Sequence, residues 1–240
     1  MSGPALVARS AGRDTRTATR ICSAVLMPVG PACVAVIRLI IPGGSGDVGA
    51  EVAADPGAQR LVLLLGIPAL FTLLPGAFAA LRLGRRHRPT LTAWTAAFLI
   101  PGYLAMTVLA AGDTAVLAAT DIGLEPATVT RLSDEILGLT MFEGLVFVVG
   151  HIVGTVLLGI LAWRARLMPR WAAILLLVSQ PTHLVAIVVV NPWLDLVAWG
   201  CTALGMLFLG VRTLRTSNDE WDLPPLPSSL TGEPADARST

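Results

Sequence analysis

Six long apolar stretches, at about 21–42, 61–83, 90–111, 141–163, 171–190 and 193–211, constrain this chain more than any other feature. At ~1.5 Å of helical rise per residue, each is long enough to cross a hydrocarbon layer roughly 30 Å thick. Inside such a layer the backbone must satisfy its own polar groups, and an unbroken apolar run of that length does so as a helix. The expected fold is therefore all-α: a polytopic membrane protein, a six-transmembrane-helix bundle over 21–213. The stretches take up about half of the 240 residues, which leaves no room for a sizeable soluble domain.

Charge sets the expected orientation. All 17 basic residues besides histidine are arginine. Fourteen of the 17 fall in the N-terminal tail (Arg9, Arg13, Arg16, Arg20), the second connection (Arg82, Arg85, Arg86, Arg88), the fourth connection (Arg164, Arg166, Arg170) and the C-terminal tail (Arg212, Arg215, Arg238). Only Arg38, Arg60 and Arg131 fall on the other side. This strict alternation predicts that both termini are cytoplasmic, in a multi-pass protein of the cell (inner) membrane. The same arginines sit beside apolar spans rather than in a basic run, so nucleic acid is not an expected partner. The partner that the sequence does imply is the lipid bilayer, and it leaves the oligomeric state open.

The connections differ in character. Residues 43–59, rich in Gly, Ala and acids, read as a mobile loop. The longer outer segment 112–140 carries Glu125-Pro126 and Ser133-Asp134-Glu135, helix-start signals that predict a short interfacial helix at about 126–138, or a fourth span extended beyond the bilayer. Asn191-Pro192 makes a tight turn that forces the last two spans to be antiparallel neighbours. Tails 1–20 and 214–240 are expected to be disordered, the second because its Pro-, Ser- and acid-rich composition cannot bury a core.

Ionisable groups inside a span cost several kcal/mol unless they face the bundle interior and find partners, so they are the candidates for function. Glu143 and His151 lie on the fourth span, His183 on the fifth, Asp195 at the outer end of the sixth and Arg38 near the outer end of the first. Counting ~1.5 Å per residue from the outer boundary puts Glu143 about 3 Å, His183 about 10 Å and His151 about 15 Å deep. A polar pocket that opens outward is the arrangement this predicts. Ser179 and Gln180 precede His183 by one helical turn and Pro181 weakens the backbone beside them, while Tyr103 and Thr107 share a face of the third span. Asp195, Trp199 and Thr202 share a face of the sixth, although Trp199 itself reads as a packing residue. Gly150 and Gly154 form a small-xxx-small pair next to His151, suited to close approach of another helix. Pro89 and Pro101 recur as Pro169 and Pro181 at an offset that sets Tyr103 opposite His183, which suggests duplicated hairpins.

Three readings of this set stay open. The cluster binds or transports a small molecule or ion; or His151 and His183 ligate a divalent metal or haem b in a redox protein; or the groups only lock a structural subunit together. No cofactor is called for by a motif. Cys22, Cys33 and Cys201 lie in apolar spans without CxxC spacing and read as packing residues. HExxH, GxSxG and P-loop patterns are absent, so an enzyme is the less favoured expectation.

Gly150-His151-x-x-Gly154, Leu157-Leu158-Gly159, Trp163-Arg164, Pro169-Arg170-Trp171 and Ser179-Gln180-Pro181-x-His183 together resemble a group of uncharacterised actinobacterial integral membrane proteins. The resemblance is best over the fourth and fifth spans. It implies a six-helix bundle in the cell membrane and no particular activity.

Overall fold

A computed structural model describes residues 14–42, 44 and 46–222. Among the described residues there are nine helices and no strand: α1 (Arg16–Ile40), α2 (Val48–Ala54), α3 (Pro56–Gly84), α4 (Pro89–Asp121), α5 (Pro126–Leu139), α6 (Met141–Arg164), α7 (Arg170–Val188), α8 (Pro192–Arg215) and α9 (Asn218–Trp221). Six of them (α1, α3, α4, α6, α7 and α8) are long and apolar enough to cross a membrane, and each contains or closely overlaps one apolar stretch of the sequence. Their outward faces carry large exposed apolar side chains such as Phe71, Leu145, Val185 and Trp193, as expected of a surface solvated by lipid. The chain is a multi-pass membrane protein.

The six long helices form a closed ring in chain order. Each packs on the next, α1 on α3, α3 on α4, α4 on α6, α6 on α7 and α7 on α8, and α8 returns to pack along α1. Alternating direction around the ring gathers the arginine-rich connections, the start of α1 and the end of α8 at one end. Helices α2 and α5 pack on each other at the opposite end and cap it.

Local chemistry explains where these elements start. Asp47 and Asp55 accept hydrogen bonds from the Ala50 and Ala58 backbone N–H groups, which begins α2 and, with Pro56 in its first turn, α3. The expected mobile loop over 43–59 therefore contains a helix and the start of another: two aspartates spaced for capping outweigh the Gly- and Ala-rich composition. Helix α5 occupies Pro126–Leu139, where the helix-start signals fall, while residues up to Asp121 continue α4. At 33 residues, or about 50 Å, α4 outruns a hydrocarbon layer and carries the bundle into the cap. The α7–α8 turn is as tight as expected, with Val190 held at φ 50° and Asn191 capping α8 through the Leu194 N–H.

Residues 16–20, 214–215 and 218–221, expected to belong to disordered tails, are helical. Helix α1 begins at Arg16, which pairs with Asp14 at 2.9 Å and Asp219 at 2.6 Å. Beyond α8, Ser217 caps α9, and Trp221 is buried with the Arg82 guanidinium 5.0 Å above its ring. Asp222 pairs with Arg82 at 2.8 Å. Acidic residues in the tail thus find arginines on α1 and α3. The remaining tail segments, 1–13 and 223–240, lie outside the described residues.

Candidate functional site

A close helix contact, between α4 and α6, sets the position of His151. A Cβ on Gly102 would lie 2.4 Å from the His151 backbone nitrogen, and one on Gly150 would lie 2.6 Å from the Gly102 Cα. A Cβ on Gly154 would meet the Leu99 Cα at 2.6 Å. The helix that approaches the Gly150/Gly154 face is therefore α4, and Gly102, not singled out from sequence, is the third member of the contact.

His151 is buried and sandwiched between Phe147 and Trp199, with ring centroids 4.2 Å and 5.7 Å away. Its Nδ1 donates to the Phe147 carbonyl oxygen, which leaves Nε2 as the lone-pair nitrogen. That Nε2, the Thr155 hydroxyl one turn along and the Gln180 Oε1 are buried without a hydrogen-bond partner among the described residues. Tyr103 is buried beside Thr155.

Helices α7 and α8 supply the rest of the polar cluster. Gln180 Nε2 donates to the Thr202 hydroxyl at 2.8 Å, Thr202 to the Ser179 hydroxyl at 2.9 Å, and Ser179 to the Leu176 carbonyl at 2.9 Å. This chain satisfies its hydroxyl donors and leaves none on an imidazole. Three residues beyond Gln180, His183 Nδ1 faces the Asp195 carboxylate and the Trp199 indole N–H, the latter at 3.2 Å. The carboxylate needs a proton on Nδ1 and the indole N–H needs its lone pair, so Nδ1 cannot serve both at once. The carboxylate contact is the closer and is charge-assisted, so we assign the proton to it. Asp195 in turn accepts from Arg38 Nε at 2.6 Å, which completes an Arg38–Asp195–His183 line across α1, α8 and α7. Trp199, read from sequence as a packing residue, also takes part in this polar cluster.

A cavity of about 780 Å³ lies next to this line at the capped end of the ring. Helices α1, α3, α4, α6 and α7 wall it, and α2 and α5 reach across its end. Its lining is mainly aliphatic, including Ile37, Ile67, Leu109 and Ile187, with Arg38, Arg60, Asp113 and His183 as its ionisable groups. Of the sequence candidates, Arg38 and His183 reach the cavity. Tyr103, His151, Ser179, Gln180 and Asp195 are packed behind it in the helix contacts. Glu143 is half-buried, is absent from the cavity wall and has no side-chain hydrogen bond or ion pair among the described residues. Arg60 and Asp113 escaped the sequence reading because both lie in segments taken as loops or span ends.

Two of the three arginines at this end are neutralised: Arg38 by Asp195, and Arg60 by Asp121 at 2.7 Å. Arg38 spends only its Nε on Asp195, so its two terminal amino groups keep their donors free among the described residues.

The donor set is thin for a metal. The His151 and His183 ring centroids are 5.5 Å apart, within reach of a shared ion, but among the described residues no group of three His, Cys, Asp or Glu is placed to hold a metal. Zinc sites use at least three protein ligands. Phe147 and Trp199 stack on the His151 ring.

Residues 22–215 match the family described as "Domain of unknown function (DUF4386)", and the chain belongs to that family. No curated protein and no solved structure matches it.

Proposed function

We propose that this DUF4386 family member is a binding or carrier protein of the cell membrane, whose ligand is a small amphiphile held in the capped cavity. The observation that carries this reading is the cavity itself. At about 780 Å³ it is within the size range of small-molecule sites, and it combines aliphatic walls with a few convergent polar groups. An apolar body would lie against Ile67 and Leu109, and a hydrogen-bond-accepting head would take the free amino groups of Arg38. Both termini are cytoplasmic in this reading and the cavity end faces outward. Fourteen of the 17 arginines support that orientation, as does the pairing of Arg38 and Arg60 with carboxylates at the other end. The lysine-free composition fits the GC-rich coding of an actinobacterial source.

The test is a thermal-shift screen of the purified full-length protein against small amphiphiles, repeated with Ile67→Trp and Leu109→Trp. A ligand-dependent rise in melting temperature that either cavity-filling variant removes supports the reading. A folded protein that responds to no amphiphile, or variants that respond as the parent does, overturns it.

A second reading, a metal held between His151 and His183, is favoured by one pattern. Each imidazole has its Nδ1 engaged, by a backbone carbonyl or a carboxylate, as metal-ligating histidines do. The missing ligand would have to come from a bound molecule. Metal analysis and an absorption spectrum of the purified protein, with His151→Ala and His183→Ala, test it: colourless, metal-free parent protein sinks the idea.

A further inference from the structure

The arginine end of the ring holds a second cavity, of about 540 Å³, unconnected with the ligand site above. Its walls come from α1, α3, α4 and the C-terminal α9. Pro75 and Phe78 of α3 line it and are exposed on the outward, lipid-facing side. One helical turn or two further along, Arg82 of α3 and Arg85 just past its end line it as well. The cavity thus runs from an apolar groove to a pair of guanidinium groups, a gradient that matches a phospholipid running from chain to headgroup.

Among the described residues, the charges at this spot are incompletely neutralised. Arg82 and Arg85 share one carboxylate, Asp222, at 2.8 Å and 3.9 Å. Only the first contact is a hydrogen bond, so the Arg85 fork keeps its donors. Trp221, which forms part of the same wall, has an indole N–H with no acceptor among the described residues. Arginine forks, an indole N–H and an adjoining apolar groove are the groups that a phosphate, a glycerol oxygen and an acyl chain would use.

We propose that this cavity holds an anionic phospholipid from the adjoining leaflet, its phosphate on Arg82 and Arg85 and its acyl chain along Pro75 and Phe78. Asp222 competes with the phosphate for the same guanidinium groups, so the lipid and the α9 carboxylate bind them in opposition. The reading needs neither the proposed ligand at the capped end nor a particular orientation in the membrane.

Native mass spectrometry of the full-length protein, released from vesicles of equal parts phosphatidylglycerol and phosphatidylcholine, tests this. Phosphatidylglycerol is expected to be retained in preference. Arg85→Gln, and Arg82→Gln where it folds, should each lower that retention about fivefold. Asp222→Asn should raise it, a gain that a merely damaged fold would not produce. Arg164→Gln, at the same end but away from the cavity, should leave it unchanged. Equal retention of the two lipids overturns the proposal, as does an equal loss in Arg164→Gln or no gain in Asp222→Asn. Displacement of the lipid by inorganic phosphate at matched concentration would mark a site for free anions and would overturn it too.

Discussion

Arg38 donates its Nε–H to the Asp195 carboxylate at 2.6 Å, a link between the first and last long helices where the ring closes. Asp195 is 2% exposed, so its charge depends on Arg38 and His183. Removing one partner from a buried pair leaves a charge uncompensated, which costs about 3–5 kcal/mol. Arg38→Met and Asp195→Asn are each expected to lower the melting temperature in detergent strongly. A double-mutant cycle should show a coupling of about 1–3 kcal/mol between them. Strict additivity would show that the bond contributes nothing to closure.

The α4–α6 contact makes a sharper steric prediction. Gly102→Ala places a methyl group 2.4 Å from backbone, which α6 can relieve only by moving away, at about 1–3 kcal/mol. Gly144→Ala, on the same α6 but with nothing within 4 Å, should be neutral or stabilising by up to about 1 kcal/mol. Comparing the two melting temperatures checks the claim, and a similar loss in both would contradict it.

The cap has its own pH dependence. Thr130 donates to Asp47 at 2.7 Å and accepts from the Gly49 N–H at 3.0 Å, which ties α5 to α2. The Thr130 hydroxyl and then the Ala50 N–H hold the Asp47 carboxyl below its ordinary value of 3.8. A lowered value in the fold means that this stabilisation is fully present above 3.8 and is lost as pH falls through the folded value. Hydrogen exchange over α5 should therefore accelerate below the ordinary carboxylate range, and Thr130→Val should weaken that acid sensitivity. Exchange with the same pH profile in parent and variant would count against the tie.

Helix α9 is held chiefly by Trp221 and its neighbouring acids. Trp221→Ala removes a side chain that is 2% exposed, together with the Arg82 cation–π contact. We expect α9 to detach while the ring stays folded, because the long helices do not depend on it. Limited proteolysis after Arg215 should become fast in the variant, and unchanged protection would show that the ion pairs alone suffice.

Orientation is open to direct labelling. With Cys22, Cys33 and Cys201 replaced, single cysteines at the exposed Ala127 and His87 should react from opposite sides of intact cells, Ala127 from outside. Reaction of both from one side would refute the arginine argument.

Much of this architecture is legible in sequence because lipid imposes a single strong pattern, apolar length, on every span. Elements outside lipid gave weaker signals. Helix α2 is seven residues long and too short for periodicity, so only the caps at Asp47 and Asp55 could have revealed it. Helix α9 is shorter still, and its stability rests on Trp221 meeting α3, a long-range contact that no local pattern encodes. Within the site, spacing along one helix sets Ser179 and Gln180 one turn before His183, since that relation is local. Which residues reach the cavity depends instead on how the ring turns each helix. That is why Asp113 enters the cavity wall while Glu143 does not.

Ring closure has a consequence for biogenesis. Arg38 and Asp195 are 157 residues apart, so a ribosome must deliver five spans to the membrane before the carboxylate exists to receive the guanidinium. Throughout that interval the first helix presents an unmatched cation near its far end, and whatever shelters it, water or the insertion machinery, has to let go when the sixth span arrives. A nascent chain arrested before residue 192 should accordingly remain associated with the insertion apparatus, and one arrested after full emergence of the last helix should leave it.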